Sequence, residues 1–189
     1  MSDLNRPIPE SYWVEPGRFL AGEYPAHEYG EPLRRRLDSF LDFGIDTFVD
    51  LTDPEELPPY LPVLAEQARY YEVDVLYKRF SVNDHSVPAR ESMQAILDEI
   101  DSSLAAGRKV YVHCWGGIGR TGTVVGCYLV RRGLSGQGAL AQLAEWWQGV
   151  PKSRLWPVTP ETRRQVEFVL NWDEDSPSPR SLSSPEGTP

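Results

Sequence analysis

The chain has 189 residues, 40% of them hydrophobic and 25% charged, with a formal net charge of −9. Those fractions describe a globular domain long enough for one sizeable core. The acidity argues against a general nucleic-acid or anionic-membrane binder, because neither polyanion is attracted on average.

Residues 1–10 carry prolines and polar side chains and read as a loose lead-in. Tyr12-Trp13-Val14 and Arg18-Phe19-Leu20-Ala21-Gly22 are short apolar pieces split by Pro16-Gly17, which predicts a hairpin. His27 has no partner at metal-ligand spacing and reads as a solvated histidine. Leu33, Leu37, Phe40 and Leu41 predict a helix over 32–43, closed by Gly44, with Arg34-Arg35-Arg36 as a solvated face. A strand over 47–51 follows, then a Pro- and Glu-rich loop, a short helix over 62–71 and an alternating strand over 73–80. Beyond a polar loop at 81–88, Met93, Ile96, Leu97, Ile100 and Leu104 form one stripe of a helix over 89–106, stopped by Gly107.

A strand over 109–113 and a helix over 120–132 bracket a glycine-rich loop. Leu140, Leu143, Ala144 and Trp147 predict a helix over 135–148, with Trp146-Trp147 read as core packing plus a surface patch. Thr159 as N-cap and Pro160 at the first position start a last helix running to about Trp172. Residues 174–189 are Ser/Pro-rich, cannot bury a core and read as a disordered tail. Strand–helix alternation over 11–173 implies a single-domain α/β sandwich, a central mixed sheet flanked by helices.

The chemistry concentrates in His113-Cys114-Trp115-Gly116-Gly117-Ile118-Gly119-Arg120-Thr121-Gly122-Thr123. A strand running through a glycine-rich loop into a helix N-terminus is an anion cradle. Successive backbone N–H groups turn inward and the helix dipole adds positive charge. A cysteine at the base of such a cradle is favoured as thiolate, the nucleophilic form. Arg120, at the far end, carries a planar fork suited to two phosphate oxygens. The backbone of Trp115, Gly116, Gly117, Ile118, Gly119 and Arg120 is therefore expected to hold a phosphoryl group.

The pattern His113, Cys114, Gly117, Arg120, Thr121 resembles the signature loop of the cysteine-based protein tyrosine phosphatases, in their compact dual-specificity-like branch. The resemblance implies a phosphate monoester hydrolase in which Cys114 forms a phosphocysteine. It also implies that His113 orders the loop through hydrogen bonds, and Thr121 is placed to donate its hydroxyl to the sulfur. Gly22-Glu23-Tyr24-Pro25 is similar to the Gly-x-x-Pro segment that follows the family's N-terminal hairpin. Dual-specificity-like members carry an acidic loop ahead of a helix. Asp84-His85-Ser86-Val87-Pro88, thirty residues before Cys114, resembles it and makes Asp84 the expected proton donor. His85, Asp74 and Asp50 are the competitors; Asp74 falls inside the strand over 73–80 and Asp50 at the end of another. Gln165 resembles a glutamine of the family's final helix that lies near the pocket. An exposed helical glutamine is the reading preferred over water positioning.

Cys114 and Cys127 are the two cysteines, so no disulfide framework exists. Cys127 falls in an apolar helical run and reads as a core residue. A reducing, cytoplasmic setting suits a thiolate nucleophile. No cofactor and no metal are expected. The expected partner is a phosphorylated protein or a small phosphate ester, with neither nucleic acid nor membrane. Trp115 and Tyr24 are candidates for the leaving-group side. A phosphate-binding module without turnover and a thiol redox or sulfur- or arsenate-transfer enzyme are the competing classes.

Overall fold

Strand β5 (Val110–His113) is the axis of the sheet, and its four residues are all buried. Val110 and Val112 face one core, Tyr111 the other, the two-residue alternation of a strand covered on both faces. In this computed structural model, which describes residues 5–26 and 30–174, β5 is flanked by β2 (Phe19–Gly22) and β3 (Thr47–Asp50), both parallel to it. Strand β1 (Ser11–Glu15) pairs antiparallel with β2, and β4 (Leu76–Arg79) parallel with β3, giving the order β1-β2-β5-β3-β4. The expected mixed sheet is present, and the β1–β2 turn uses Gly17 at φ 71°, a conformation Gly adopts at no steric cost.

Helices α1 (Glu31–Asp42) and α2 (Leu61–Tyr70) cover one face of the sheet, closing a core of Leu37, Phe40, Phe48, Tyr60 and Tyr111. Helices α3 (Arg90–Ala105), α4 (Gly119–Arg131), α5 (Gly136–Gln148) and α6 (Arg163–Leu170) cover the other. Cys127 is buried there, and burial pushes its thiol well up. Trp147 is buried in the same core and Trp146 packs partly buried beside it, while Ala144 is exposed and Ala139 takes its expected core place.

Four local expectations need correction. The strand over 73–80 is only Leu76–Arg79, because Val73 closes the end of α2: its N–H donates to Ala68 O, after Glu72 turns to φ 53°. Asp74 therefore precedes the strand, and its exposed carboxylate pairs with Arg108 at 2.7 Å. The last helix starts at Arg163, capped by Thr162, and not at Pro160. Two candidate caps lie three residues apart. Only Thr162 has a glutamine at the third helical position to reciprocate, and Gln165 closes that capping box. Of the arginine run on α1, Arg35 is exposed, whereas Arg36 pairs with the buried Glu23 and Arg34 with Glu66 at 2.8 Å.

Residues 5–10 of the expected lead-in pack onto the domain. Ile8 is buried, and Arg6 donates to Ser11 O and Gly149 O. At the other end Glu174 takes Arg131 in two hydrogen bonds of 2.6 and 3.0 Å. His27 and the tail beyond Glu174 lie outside the described residues. Among the described residues, no helix is long and apolar enough to cross a membrane.

Candidate active site

The loop that leaves β5 and enters α4 is held from outside by its carbonyls. His113 Nδ1 lies 3.3 Å from Cys114 O, Tyr24 N donates to Trp115 O at 2.8 Å, and Lys152 Nζ donates to Gly116 O at 3.3 Å. Thr159 Oγ1 donates to Ile118 O at 2.8 Å. A trans peptide is planar, with its N–H opposite its C=O. Holding these four carbonyls therefore turns the N–H groups of Trp115, Gly116, Gly117 and Gly119 to the side opposite the carbonyls' partners. Gly117 adopts φ 74° against the β2 end, where a Cβ would stand 2.5 Å from Gly22 C. That close approach and that φ both require glycine.

The cavity above the loop measures about 350 Å³, and Cys114, Trp115, Arg120, Asp84, Lys152, Trp156, His85 and Glu161 are among the residues that line it. Cys114 and Arg120 are both buried at its base. Glu56 grips the Arg120 guanidinium through both carboxylate oxygens, Oε2 to Nη1 at 2.7 Å and Oε1 to Nη2 at 2.6 Å. Val82 O accepts from Nη1 at 3.0 Å, and Asp84 Oδ1 stands 3.1 Å from Nη2. Arg120 Nε is buried and has no partner among the described residues. A buried, charged donor left unmatched is costly unless an acceptor arrives. An anion seated on the cradle would supply that acceptor. Burial pushes the Glu56 carboxyl up, but the Arg120 hydrogen bond and the Asp53 N–H outweigh it and hold Glu56 below the usual glutamate range.

This chain therefore carries the loop, the thiol, the clamped arginine and an adjacent carboxylate of a cysteine phosphatase. The family model described as a DSP-PTPase phosphatase of polymorphic toxin systems (Tc-R-P) matches residues 26–134, more than half of the chain. The chain belongs to this DSP-PTPase phosphatase family. It is 30% identical over 132 residues to the Arabidopsis thaliana phosphatidylinositol 3,4,5-trisphosphate 3-phosphatase and protein-tyrosine-phosphatase PTEN1, a match covering 67% of this chain and 30% of that protein. It is 33% identical over 129 residues to the mouse protein tyrosine phosphatase domain-containing protein 1, covering 64% and 17%. The chain thus spans under a third of the length of these two curated relatives. The crystal structure of Tk-PTP in its active form superposes with a TM-score of 0.65 at 30% identity, covering 86% of this chain and 94% of that one.

The other sequence-predicted residues of this family member distribute as follows. His113 is buried; Tyr60 Oη lies 2.7 Å from its Nε2, so its ring bridges α2 to the loop, and burial holds it below its ordinary 6.5. Asp50 is also buried, but Tyr77, Arg79 and Thr52 take its oxygens, and it does not line the cavity. Thr121 gives its hydroxyl to Gly22 O at 3.4 Å, on the strand side of the loop.

Gln165, expected to be exposed, is fully buried: its Nε2 donates to Ser86 O at 3.1 Å and its Oε1 accepts from Thr162 N at 3.0 Å. Its amide fills the space where a Cβ on Gly119 would lie, so one side chain joins the acid loop, the cradle and α6. Tyr24 is likewise corrected. It is buried, its hydroxyl donates to Pro58 O at 2.6 Å and its ring packs on His113 and Tyr60, away from the leaving-group side. Trp115 does line the cavity.

Sequence reasoning missed Glu56, Lys152 and Trp156. Glu56 stands in a proline- and glutamate-rich loop where nothing separates it from Glu55. Lys152 and Trp156 belong to a single 3-10 turn, Pro151–Arg154, and the segment after it, too short for any periodic signal.

Proposed function

We propose that this protein hydrolyses phosphate monoesters, phosphotyrosine and phosphoserine or phosphothreonine among them, through a phosphocysteine and without a metal. Cys114 Sγ attacks phosphorus, forming the S–P bond as the P–O bond to the leaving group breaks. Asp84 gives its proton to the departing oxygen. In the second step water attacks phosphorus, Asp84 takes its proton, and the S–P bond breaks to return the thiolate. The N–H groups from Trp115 to Arg120, with the Arg120 Nε–H that Glu56, Val82 and Asp84 leave unmatched, hold the three equatorial oxygens, where charge spreads in the transition state. His113 and Gln165 brace the loop and the acid segment. Thr121 is the candidate to assist thiolate departure if its hydroxyl turns from Gly22.

The observation that carries this reading is the buried Nε of Arg120, unpartnered among the described residues, beside a loop whose carbonyls are each held by a donor. The Arabidopsis relative is named for both a lipid and a protein-tyrosine phosphatase activity, and non-protein esters are the alternative class for this site. A nucleophilic cysteine at the base of the site suits a reducing compartment, the cytoplasm first.

The test is hydrolysis of p-nitrophenyl phosphate in the presence of EDTA by the parent chain, Cys114→Ser and Asp84→Asn. Turnover by the parent and none by Cys114→Ser is the expected result, with a loss on the order of 10²- to 10⁴-fold in Asp84→Asn. A small loss in Asp84→Asn moves the proton donor to His85. An inactive parent that still binds vanadate is a phosphate-binding module.

A further inference from the structure

We propose that Trp156, on the segment after α5, is a specificity-determining wall that selects esters of aromatic alcohols, the phosphotyrosyl side chain being the form a protein would present. The proposal rests on the phosphatase reading of the same cavity and adds its leaving-group side.

The segment is built to hold a fixed wall. The N–H groups of Leu155 and Trp156 both donate to Lys152 O, at 3.0 and 2.9 Å. Trp147, buried in the core, donates its indole N–H to Trp156 O at 2.6 Å. Lys152 ties the same turn to the cradle through Gly116 O and to Glu23 through an ion pair. The Trp156 ring is thus carried on a backbone anchored to the core and to the phosphate loop, yet it remains 45% exposed and lines the cavity. Trp115, 48% exposed, lines it too, and Ile118 adds a further apolar surface.

Charge narrows the ligand. Beyond Arg120, Lys152 is the one Lys or Arg among the lining residues, and Glu23 already engages it. The carboxylates of Asp84 and Glu161 line the same cavity. A leaving group bearing further phosphates would meet those carboxylates, and clustered cations to offset them are not among the lining residues. A flat, uncharged ring meets two indoles instead, and aromatic pairs gain affinity beyond the area they bury. A phosphoseryl group reaches the same cradle with no ring to set against either indole.

The experiment measures binding, so that it reads the wall independently of turnover. Cys114→Ser is titrated calorimetrically with one peptide carrying either phosphotyrosine or phosphoserine, and with phenyl phosphate. Trp156→Ala and Trp156→Phe are added in the same background, and inorganic phosphate is titrated as the measure of an intact cradle. The expected result is phosphotyrosine binding at least about tenfold tighter than phosphoserine. Trp156→Ala should weaken phosphotyrosine by about tenfold, leave phosphoserine and inorganic phosphate within about twofold, and be largely rescued by Trp156→Phe. Phenyl phosphate should follow the phosphotyrosyl peptide.

Equal affinity for the two peptides overturns the proposal, as does an equal loss for both in Trp156→Ala. Loss of inorganic phosphate binding in Trp156→Ala also overturns it, since the tryptophan would then support the cradle and not the choice of ester. A parent that discriminates in binding but hydrolyses nothing keeps the wall and sinks the phosphatase reading alone.

Discussion

Glu56 and Arg120 form a two-bonded fork, 2.7 and 2.6 Å, that fixes the plane of the guanidinium and leaves its buried Nε without a partner among the described residues. The carboxylate acts through the arginine and is a positioning residue. Glu56→Gln keeps the size but replaces one accepting oxygen with a donor that Arg120 cannot use. The expected outcome is a fall in kcat/KM of about 10- to 100-fold, about 1.4 to 2.7 kcal/mol, with vanadate affinity falling in parallel and the fold retained. Unchanged vanadate affinity would show that Arg120 finds its place without the fork.

Gly117 tests the cradle at its tightest point. Alanine there must hold φ near 74° with a methyl 2.5 Å from Gly22 C and 2.6 Å from Glu23 N, backbone atoms that cannot step aside alone. Gly117→Ala is expected to lower thermal stability by several degrees and to cut activity on the order of 100-fold or more. A calorimetric scan and a p-nitrophenyl phosphate assay check it, with Gly133→Ala, where φ is 98° but a Cβ meets open space, as the strain-only control.

Lys152 is the third lever. Its ammonium holds Gly116 O and so turns the following N–H, that of Gly117, to the opposite side. Lys152→Met keeps the stem and removes the donor, and Glu23 keeps Arg36 as a partner. A loss of about 3- to 30-fold in kcat is expected, with a smaller effect on stability. A rise in KM at unchanged kcat would instead mean that Lys152 contacts the ground-state substrate.

The sheet, the six helices and the cradle are legible in sequence because each rests on a local signal: alternation at 110–112, helical spacing at 93–104, glycines at 116, 117 and 119. What is not legible depends on distant partners. Glu56 is distinguished from Glu55 only by where the fold brings Arg120, and Gln165 is polar on a short helix, which locally predicts exposure. Its burial follows from a contact with Ser86, seventy-nine residues away. Thr159 failed as a cap for the same kind of reason. Its hydroxyl is committed to Ile118 O, and the local rule cannot weigh that against Thr162.

His113 supplies a prediction in pH. Burial holds it neutral, below its ordinary 6.5, between Tyr60 Oη and Cys114 O, with Asp50 at 3.9 Å and Arg79 and Arg120 beyond. A histidine depressed in the folded state binds its proton more readily when unfolded. Folding stability is therefore complete above about 6.5 and falls as pH drops toward the folded value, by at most about 1.4 kcal/mol per pH unit. Acidic residues add their own slope lower down, so the comparison is with His113→Gln, which cannot take up the proton. Between pH 7 and pH 5 the denaturant midpoint of the parent should fall more steeply than that of His113→Gln, even though the variant starts from lower stability after losing the imidazole bridge to Tyr60. A parent midpoint that falls less steeply than the variant's, or rises, would mean that the ring is charged in the fold and paired with Asp50. His113→Gln would then lose its stability mainly by leaving that carboxylate without its cation.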